Sequence, residues 1–193
     1  MSRKYLETIK AQDGELYHLE YHQWRLEAAL GIKETHQLKE LLSPPKDGLY
    51  RCRVVYTKDD FEVEYIKYTK RQVTKLKLVY DDTIEYEKKY ENRDEINQLF
   101  LKREDADDIL IIKNSFVCDT SIANVAFFDG DIWVTPNSPL LEGTTRKRLL
   151  KSGKIILKDI KVEDIKSYQK IALMNAMVDF DIIAQDNLED IIC

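Results

Sequence analysis

The sequence has little of what braces small secreted proteins or binds metals, with three cysteines and three histidines in 193 residues. Cys52, Cys118 and Cys193 are odd in number, lie far apart and form no C-x-x-C pair, which argues against a disulfide framework and a cysteine zinc site. The histidines are not spaced as metal ligands either. We therefore expect a reducing compartment and no metal site.

Long apolar runs are missing too. No stretch approaches the roughly 18 apolar residues that cross a bilayer, and the N-terminal M-S-R-K-Y lacks the apolar core of a signal peptide. The formal net charge of -5 argues against a dedicated nucleic-acid binder, because such proteins gain affinity by neutralising phosphates. A cytoplasmic protein that binds neither membranes nor nucleic acids is expected.

Three common enzyme motifs are also absent. The chain has no G-x-x-x-x-G-K-[ST] phosphate loop, no G-x-G-x-x-G dinucleotide motif and no G-x-S-x-G nucleophile elbow. Its 44% hydrophobic and 34% charged residues are ordinary for a soluble globular protein of one large domain or two small lobes. Composition by itself therefore indicates no particular chemistry.

The hydrophobic pattern does predict an order of helices and strands. Asp13-Gly14 between two apolar runs predicts a β-hairpin, and Gly31 predicts the end of the first helix. The predicted helices are 20–30, 34–42, 91–101 and 145–152, with a helical turn at 162–167. The predicted strands are 5–9, 16–19, 48–56, 62–68, 75–80, 109–113, 116–118, 124–128, 132–135, 155–160 and 170–175.

This order of elements favours an α+β fold. Helices cluster early and strands follow in runs, without the regular strand–helix alternation of a doubly wound fold. We predict a domain boundary between Asp82 and Thr83. The N-terminal α+β lobe would then be 1–82, and the strand-rich C-terminal lobe would be 83–193.

Four blocks carry a recognisable pattern in a fixed order. They are Y-L-E-T-I-K (5–10) with D-G and H-Q-W-R-L (22–26); K-Y-E-N-R (89–93); D-T-S-I-A-N (119–124) with D-G and W-V-T-P; and L-L-E-G-T-T-R (140–146) with N-A-M (175–177). Their order, spacing and spread over nearly the whole chain resemble fold-type IV, class IV aminotransferase-like enzymes that depend on pyridoxal 5'-phosphate (PLP). The family usually has an additional strand before the first block.

The resemblance implies a two-lobed D-amino-acid aminotransferase-like fold, a homodimer, and Lys89 as the lysine that forms the Schiff base with PLP. The position of Lys89, four residues before Arg93, favours it over Lys88. In an extended segment neighbouring side chains point in opposite directions, so only one of the two lysines can reach the cofactor. We therefore expect the second lobe to carry the cofactor lysine.

The resemblance also implies an acidic partner for the pyridine nitrogen and a cup for the phosphate. Asp119 stands where the family usually has Glu, and its alternative interpretation is a turn-forming residue. Backbone N–H groups at a helix start can hold a phosphate, although a threonine there can also be a plain N-cap. The implied phosphate ligands are Arg25, Gly143, Thr144, Thr145, Asn175 and Ala176.

Residues that contact the substrate are less specific. Thr8 lies in the block that lines the pocket in the family and is a candidate catalytic acid, or a plain strand threonine. Arg51 and Arg53 project from one strand face, where they could bind substrate carboxylates or pair with surface acids. Both interpretations stay open.

Within the family, the T-T-R and N-A-M blocks and the chain length resemble the branch of 4-amino-4-deoxychorismate lyases. The implied reaction eliminates pyruvate from 4-amino-4-deoxychorismate and yields 4-aminobenzoate for folate synthesis. One alternative is an aminotransferase of branched-chain or D-amino acids, which would use the same lysine. Another is a non-catalytic protein with the same fold.

Overall fold

The structure is a computed structural model that describes residues 3–33, 35–185 and 188. The strands are β1 Tyr5–Gln12, β2 Glu15–Leu16, β3 Leu49–Tyr56, β4 Phe61–Lys67, β5 Leu76–Tyr80, β6 Asp108–Lys113, β7 Phe116–Thr120, β8 Asn124–Phe128, β9 Trp133–Pro136, β10 Ile156–Lys158, β11 Lys170–Asn175 and β12 Asp179–Gln185. The helices are α1 Leu19–Leu30, α2 Leu38–Leu41, α3 Asp94–Leu101, α4 Thr144–Lys151 and a 3-10 helix at Val162–Ser167. None of the helices in these described ranges is long and apolar enough to cross a membrane.

The chain divides into two compact units. The first contains the residues up to Lys70 together with Lys88–Asn92, and the second contains Arg71–Glu87 and the residues from Arg93 onward. This grouping differs from the predicted lobes 1–82 and 83–193 at two segments. β5 groups with the second unit because it pairs with β6, and 88–92 groups with the first because it pairs with β1. Lys89 therefore belongs to the first unit.

The first unit is an antiparallel sheet in the order β2-β1-β3-β4, covered by α1. The predicted hairpin at Asp13-Gly14 is confirmed, and both turn residues have positive φ. Apolar side chains on one face of the sheet pack against α1 and form the core: Ile9, Ala11, Cys52, Val54 and Tyr56 with Leu26 and Ala29. α1 ends as predicted, with Gly31 in the left-handed conformation at φ 68°.

The second unit is a larger mixed sheet in the order β10-β9-β8-β7-β6-β5, to which β11 and β12 attach through β8. β5 and β6 are parallel, so the chain must cross over between them, and that connection contains α3. The core is built from buried side chains of several strands, including Leu110, Phe127 and Ile171. The mixture of sheets and helices confirms the predicted α+β class.

Several elements differ from the predictions: the helix predicted over 91–101 begins at Asp94, and the strand predicted over 16–19 is Glu15–Leu16. The helix predicted over 34–42 is present only at Leu38–Leu41 within the described residues. β12 was not expected, because its sequence D-F-D-I-I-A-Q carries few strand signals of its own. Its pairing with β11 along six registered positions makes it a strand, which shows a long-range partner overriding weak local preference.

Candidate active site

A buried charged cluster links β1 to α1 in the first unit. The carboxylate of Glu7 has no exposed surface. Arg25 donates from Nε to Glu7 Oε1 at 2.7 Å and from Nη2 to Oε2 at 2.5 Å, which makes a two-point ion pair. His22 Nδ1 lies 2.6 Å from the same Oε2. Two side chains of α1, those of His22 and Arg25, thus hold the Glu7 carboxylate in place.

The charges within this cluster follow from burial and pairing. Burial raises the pKa of Glu7, but the Arg25 guanidinium and the hydrogen bonds from His22 and Arg25 outweigh it and bring that pKa to about 2. Burial lowers the pKa of His22, and the positive charges of Arg25 and Lys89 lower it further. The hydrogen bond and the charge of Glu7 raise that pKa but do not outweigh the other effects. His22 is therefore neutral, and since ionised Glu7 only accepts, Nδ1 of His22 carries the donated proton.

Sequence reasoning singled out Arg25 in this cluster and missed the role of Glu7. The signal was present in the alternation of β1. Glu7 lies on the strand face shared by Tyr5, Ile9 and Ala11, which packs against α1. An acidic residue in the middle of an otherwise apolar strand face requires a buried cationic partner, and an arginine on the covering helix is the obvious one.

The segment that contains the two rival lysines pairs antiparallel with the start of β1. Tyr5 and Tyr90 form an isolated β-bridge, and their rings stack with centroids 5.7 Å apart. The backbone N–H of Leu6 donates to the carbonyl of Lys89 at 2.8 Å. The backbone N–H of Tyr90 also donates to the carbonyl of Lys88 at 2.9 Å, so the chain turns tightly at Lys89. The alternation of an extended segment therefore does not apply to the two lysines.

The ammonium of Lys88 has contacts of its own. Its Nζ donates to the carbonyl oxygen of Ala29, in the last turn of α1, at 3.0 Å. The same ammonium lies 5.8 Å from the centre of the Tyr5 ring. Lys88 is thus engaged at the end of α1, whereas the charge of Lys89 acts on His22, next to Glu7 and Arg25. The assignment of the cofactor to Lys89 stays a prediction, and its effect on this cluster supports it.

The three residues that the sequence predicts to contact the substrate share one face of the first sheet. Thr8 is the registered partner of Arg53, and Arg51 is one alternation further along β3. Arg53 Nη2 lies 3.0 Å from Glu91 Oε1, so Arg53 makes the ion pair that the non-catalytic interpretation requires. Arg51 is exposed on the same face. The first sheet therefore brings Thr8, Arg51 and Arg53 to one face, and Arg25 pairs with Glu7 on the opposite face.

In the second unit, Asp119 is a buried carboxylate held by hydrogen bonds. Asn124 Nδ2 donates to Oδ1 at 2.7 Å, and the backbone N–H of Leu141 donates to Oδ2 at 3.0 Å. Burial raises the pKa of Asp119 to about 6, although both bonds and the charge of Arg146 oppose this. The neighbouring groups therefore only partly offset the loss of solvation, and an additional cation beside Asp119 would be stabilised.

Arg146, the last residue of the fourth block, is buried as well. Nη2 donates to the carbonyl of Pro136 at 2.7 Å, and Nε lies 3.4 Å from Thr135 Oγ1. Burial lowers its pKa, while the charges of Asp119 and Glu142 act in the opposite direction. Arg146 thus fixes the start of α4 to the end of β9.

The N-terminus of α4 begins at the predicted phosphate turn. Gly143 is the N-cap, and no side chain caps the helix, so the alternative interpretation of a threonine N-cap is wrong. The first bond of this helix runs from the N–H of Lys147 to the carbonyl of Gly143 at 2.9 Å. The backbone N–H groups of Thr144 and Thr145 precede that bond and have no acceptor within the helix. They are suitably placed to bind an anion, as the sequence predicts.

Gly143 is required here for a steric reason. A Cβ atom added to it would lie 1.9 Å from Oδ1 of Asn124. Asn124 in turn bridges Asp119 and the carbonyl of Leu141, to which Nδ2 donates at 2.8 Å. The glycine therefore allows one asparagine to connect the buried carboxylate with the turn that opens α4.

Replacing Gly143 with alanine is expected to lower the free energy of unfolding by about 1–3 kcal/mol, because Asn124 must move out of a packed position. Urea titration of Gly143→Ala and of the wild type would measure this. The control is Gly153→Ala, because a Cβ atom there would meet open space. The φ of 71° at Gly153 means that this control reports the cost of backbone strain without a steric clash. Unchanged stability in Gly143→Ala would contradict the steric account.

The second predicted phosphate turn connects β11 and β12. Asn175 Oδ1 accepts from the N–H of Met177 at 2.9 Å and of Val178 at 3.1 Å, so its side chain closes the turn. Asn175 Nδ2 also lies 3.4 Å from the carbonyl of Ile122. Asn175 thus has a structural reason to be present, and the phosphate contact through the backbone of Asn175 and Ala176 stays a prediction.

Comparison with known proteins points to one family. Residues 93–184 match the model of the amino-transferase class IV family. The chain is 37% identical over 180 residues to an uncharacterised protein of Haemophilus influenzae, which covers 89% of this chain and 96% of that one. It is also similar to the crystal structure of a candidate 4-amino-4-deoxychorismate lyase from Haemophilus somnus, with 34% identity, a TM-score of 0.85, and 92% and 97% of the two chains covered.

A third similarity concerns the fold alone. The PLP-bound form of a hypothetical aminotransferase from Mycobacterium tuberculosis aligns with a TM-score of 0.74 at 16% identity. The alignment covers 94% of this chain and 80% of the other. At this identity the match reports shared architecture, and that architecture accommodates PLP in the Mycobacterium tuberculosis protein.

Proposed function

Because the chain belongs to the class IV aminotransferase family, we propose that it is a PLP-dependent lyase that eliminates pyruvate from 4-amino-4-deoxychorismate and yields 4-aminobenzoate. The observation that carries this choice is the likeness, over nearly the full length of both chains, to the candidate lyase of Haemophilus somnus. The side chains of each unit provide groups that suit the cofactor and the elimination.

The second unit offers groups that fit the two polar ends of PLP. Asp119 is a buried carboxylate with a pKa raised to about 6, because its hydrogen bonds and the charge of Arg146 only partly compensate for the loss of solvent. A protonated pyridine nitrogen is the kind of cation that would compensate it, and the carboxylate would in turn keep that nitrogen protonated. The uncapped start of α4 after Gly143, with Thr144 and Thr145, suits a phosphate.

The first unit offers an amine and a guanidinium. Lys89 would bind the cofactor covalently, and Arg25 would contribute to the phosphate site, as the family resemblance implies. When bound, PLP supplies an electron sink for the charge left on the substrate carbon. The turn at Asn175 and Ala176 is a further proposed phosphate contact through backbone N–H groups.

The proton transfers are proposed for Lys89 and Thr8. The amine of Lys89 would take the proton from the carbon that bears the substrate amine. Thr8, on β1, would donate a proton to the enolpyruvyl oxygen as the bond from that oxygen to the ring breaks. Pyruvate then leaves and the ring becomes aromatic, which makes the elimination favourable.

Pyruvate release tests this function directly. The purified protein with PLP and 4-amino-4-deoxychorismate should release pyruvate, measured by coupling to lactate dehydrogenase, and should form 4-aminobenzoate in equal amount. No 2-oxo acid acceptor should be needed. Absence of pyruvate, together with amino transfer from an amino acid to 2-oxoglutarate, would reject the lyase in favour of an aminotransferase.

A further inference from the structure

We propose that Glu7 is a positioning residue for the cofactor phosphate, acting through the guanidinium of Arg25. The inference rests on the proposed function, because it requires PLP as the ligand and Arg25 as one of the groups that bind its phosphate. It adds a residue to which neither the motifs nor the similar proteins assign a role.

The geometry of the ion pair is what makes Glu7 suitable. The bonds of 2.7 and 2.5 Å involve both carboxylate oxygens and both Nε and Nη2 of Arg25, so the plane of the guanidinium is defined at two points. The guanidinium is planar, so fixing it at two points also fixes the directions in which its other N–H groups point. Glu7 therefore determines the orientation in which Arg25 would meet an anion.

His22 holds the carboxylate from a third direction. Its Nδ1 lies 2.6 Å from Glu7 Oε2, and both side chains are buried. Glu7 therefore cannot rotate without losing bonds to His22 and Arg25 together. The charged and titratable groups that act on this cluster are Glu7, Arg25, His22, Lys89 and, from β3, Tyr56.

A purely electrostatic role would have a different signature. Ionised Glu7 cancels the charge of Arg25, so a phosphate meets a pair that is neutral as a whole. If Glu7 were only a counter-charge, any carboxylate at this position would serve, and removing the charge would strengthen phosphate binding. If Glu7 orients Arg25, a shorter carboxylate would weaken phosphate binding although the charge is unchanged.

The test compares affinities for PLP and for pyridoxal, which lacks the phosphate, by absorbance titration of the wild type, Glu7→Asp and Glu7→Gln. We expect the ratio of PLP to pyridoxal affinity to fall about tenfold or more in Glu7→Asp, and to fall also in Glu7→Gln. Affinity for pyridoxal itself should change less than about twofold, because pyridoxal makes no phosphate contact. Glu15→Asp, at an exposed position on β2, is the matched control.

The other outcomes overturn the proposal. A wild-type ratio in Glu7→Asp with tighter PLP binding in Glu7→Gln would make Glu7 a counter-charge, and equal loss of both ligands would make its role structural. If Glu7→Asp does not fold, Glu7→Gln decides by the sign of the change in the ratio.

Failure of the proposed lyase activity can be distinguished from failure of this inference. A protein that binds PLP without releasing pyruvate still permits the affinity test, whereas a wild type that binds no PLP would reject both the proposed function and the role of Glu7.

Discussion

Replacing Lys89 with alanine is expected to lower pyruvate release by at least about a thousandfold, because the proposed mechanism assigns both the covalent link to the cofactor and the base to this one side chain. Lys88 is not expected to replace it, because its ammonium is bound to the Ala29 carbonyl. The measurement is the initial rate of pyruvate formation at saturating PLP, followed with lactate dehydrogenase.

Lys88→Ala is the matched control, since it removes only the adjacent lysine and its bond to the Ala29 carbonyl. It is expected to retain most of the wild-type rate. Borohydride reduction of the wild type followed by peptide mapping should place the pyridoxyl group on Lys89. A pyridoxyl group on Lys88, or a Lys89→Ala variant that turns over normally, would reverse the assignment.

Replacing Asp119 with asparagine is expected to lower kcat by about 10²–10³-fold while PLP affinity changes far less. Asparagine keeps the size of the side chain and can accept the hydrogen bond from Leu141, but it lacks the charge that would keep a pyridine nitrogen protonated. The loss therefore falls on the transition state, in which negative charge spreads into the ring. Steady-state kinetics and a PLP titration of the same variant would separate the two effects.

The pKa of Asp119 adds a pH test of this prediction. As the pH falls through about 6, the carboxylate of the unliganded protein becomes protonated and loses its charge. PLP affinity of the wild type should therefore weaken below about pH 6, whereas Asp119→Asn should lack this component. Asp119→Glu, which keeps the charge, should retain more turnover than Asp119→Asn. Equal kcat in the wild type and Asp119→Asn would remove Asp119 from the mechanism.

Elements of the fold could be predicted where the residues that determine them are adjacent in the sequence. The hairpin at Asp13-Gly14 and the helix end at Gly31 were predictable because turn and cap chemistry resides in a few adjacent residues. β12 was not predictable, because only its pairing with β11 makes it a strand. The placement of 88–92 beside β1 has the same cause, since its hydrogen bonds join residues more than eighty positions apart.

The sequence alone determined the α+β class, the family and a set of candidate cofactor residues, because these follow from hydrophobic periodicity and from the order of short motifs. Only the tertiary structure bound Lys88 to the carbonyl of Ala29, paired Glu7 with Arg25 and His22, and raised the pKa of Asp119. These properties arise from strand register and from loss of solvent around charged groups. Both depend on which distant segments surround a side chain, which no local pattern specifies.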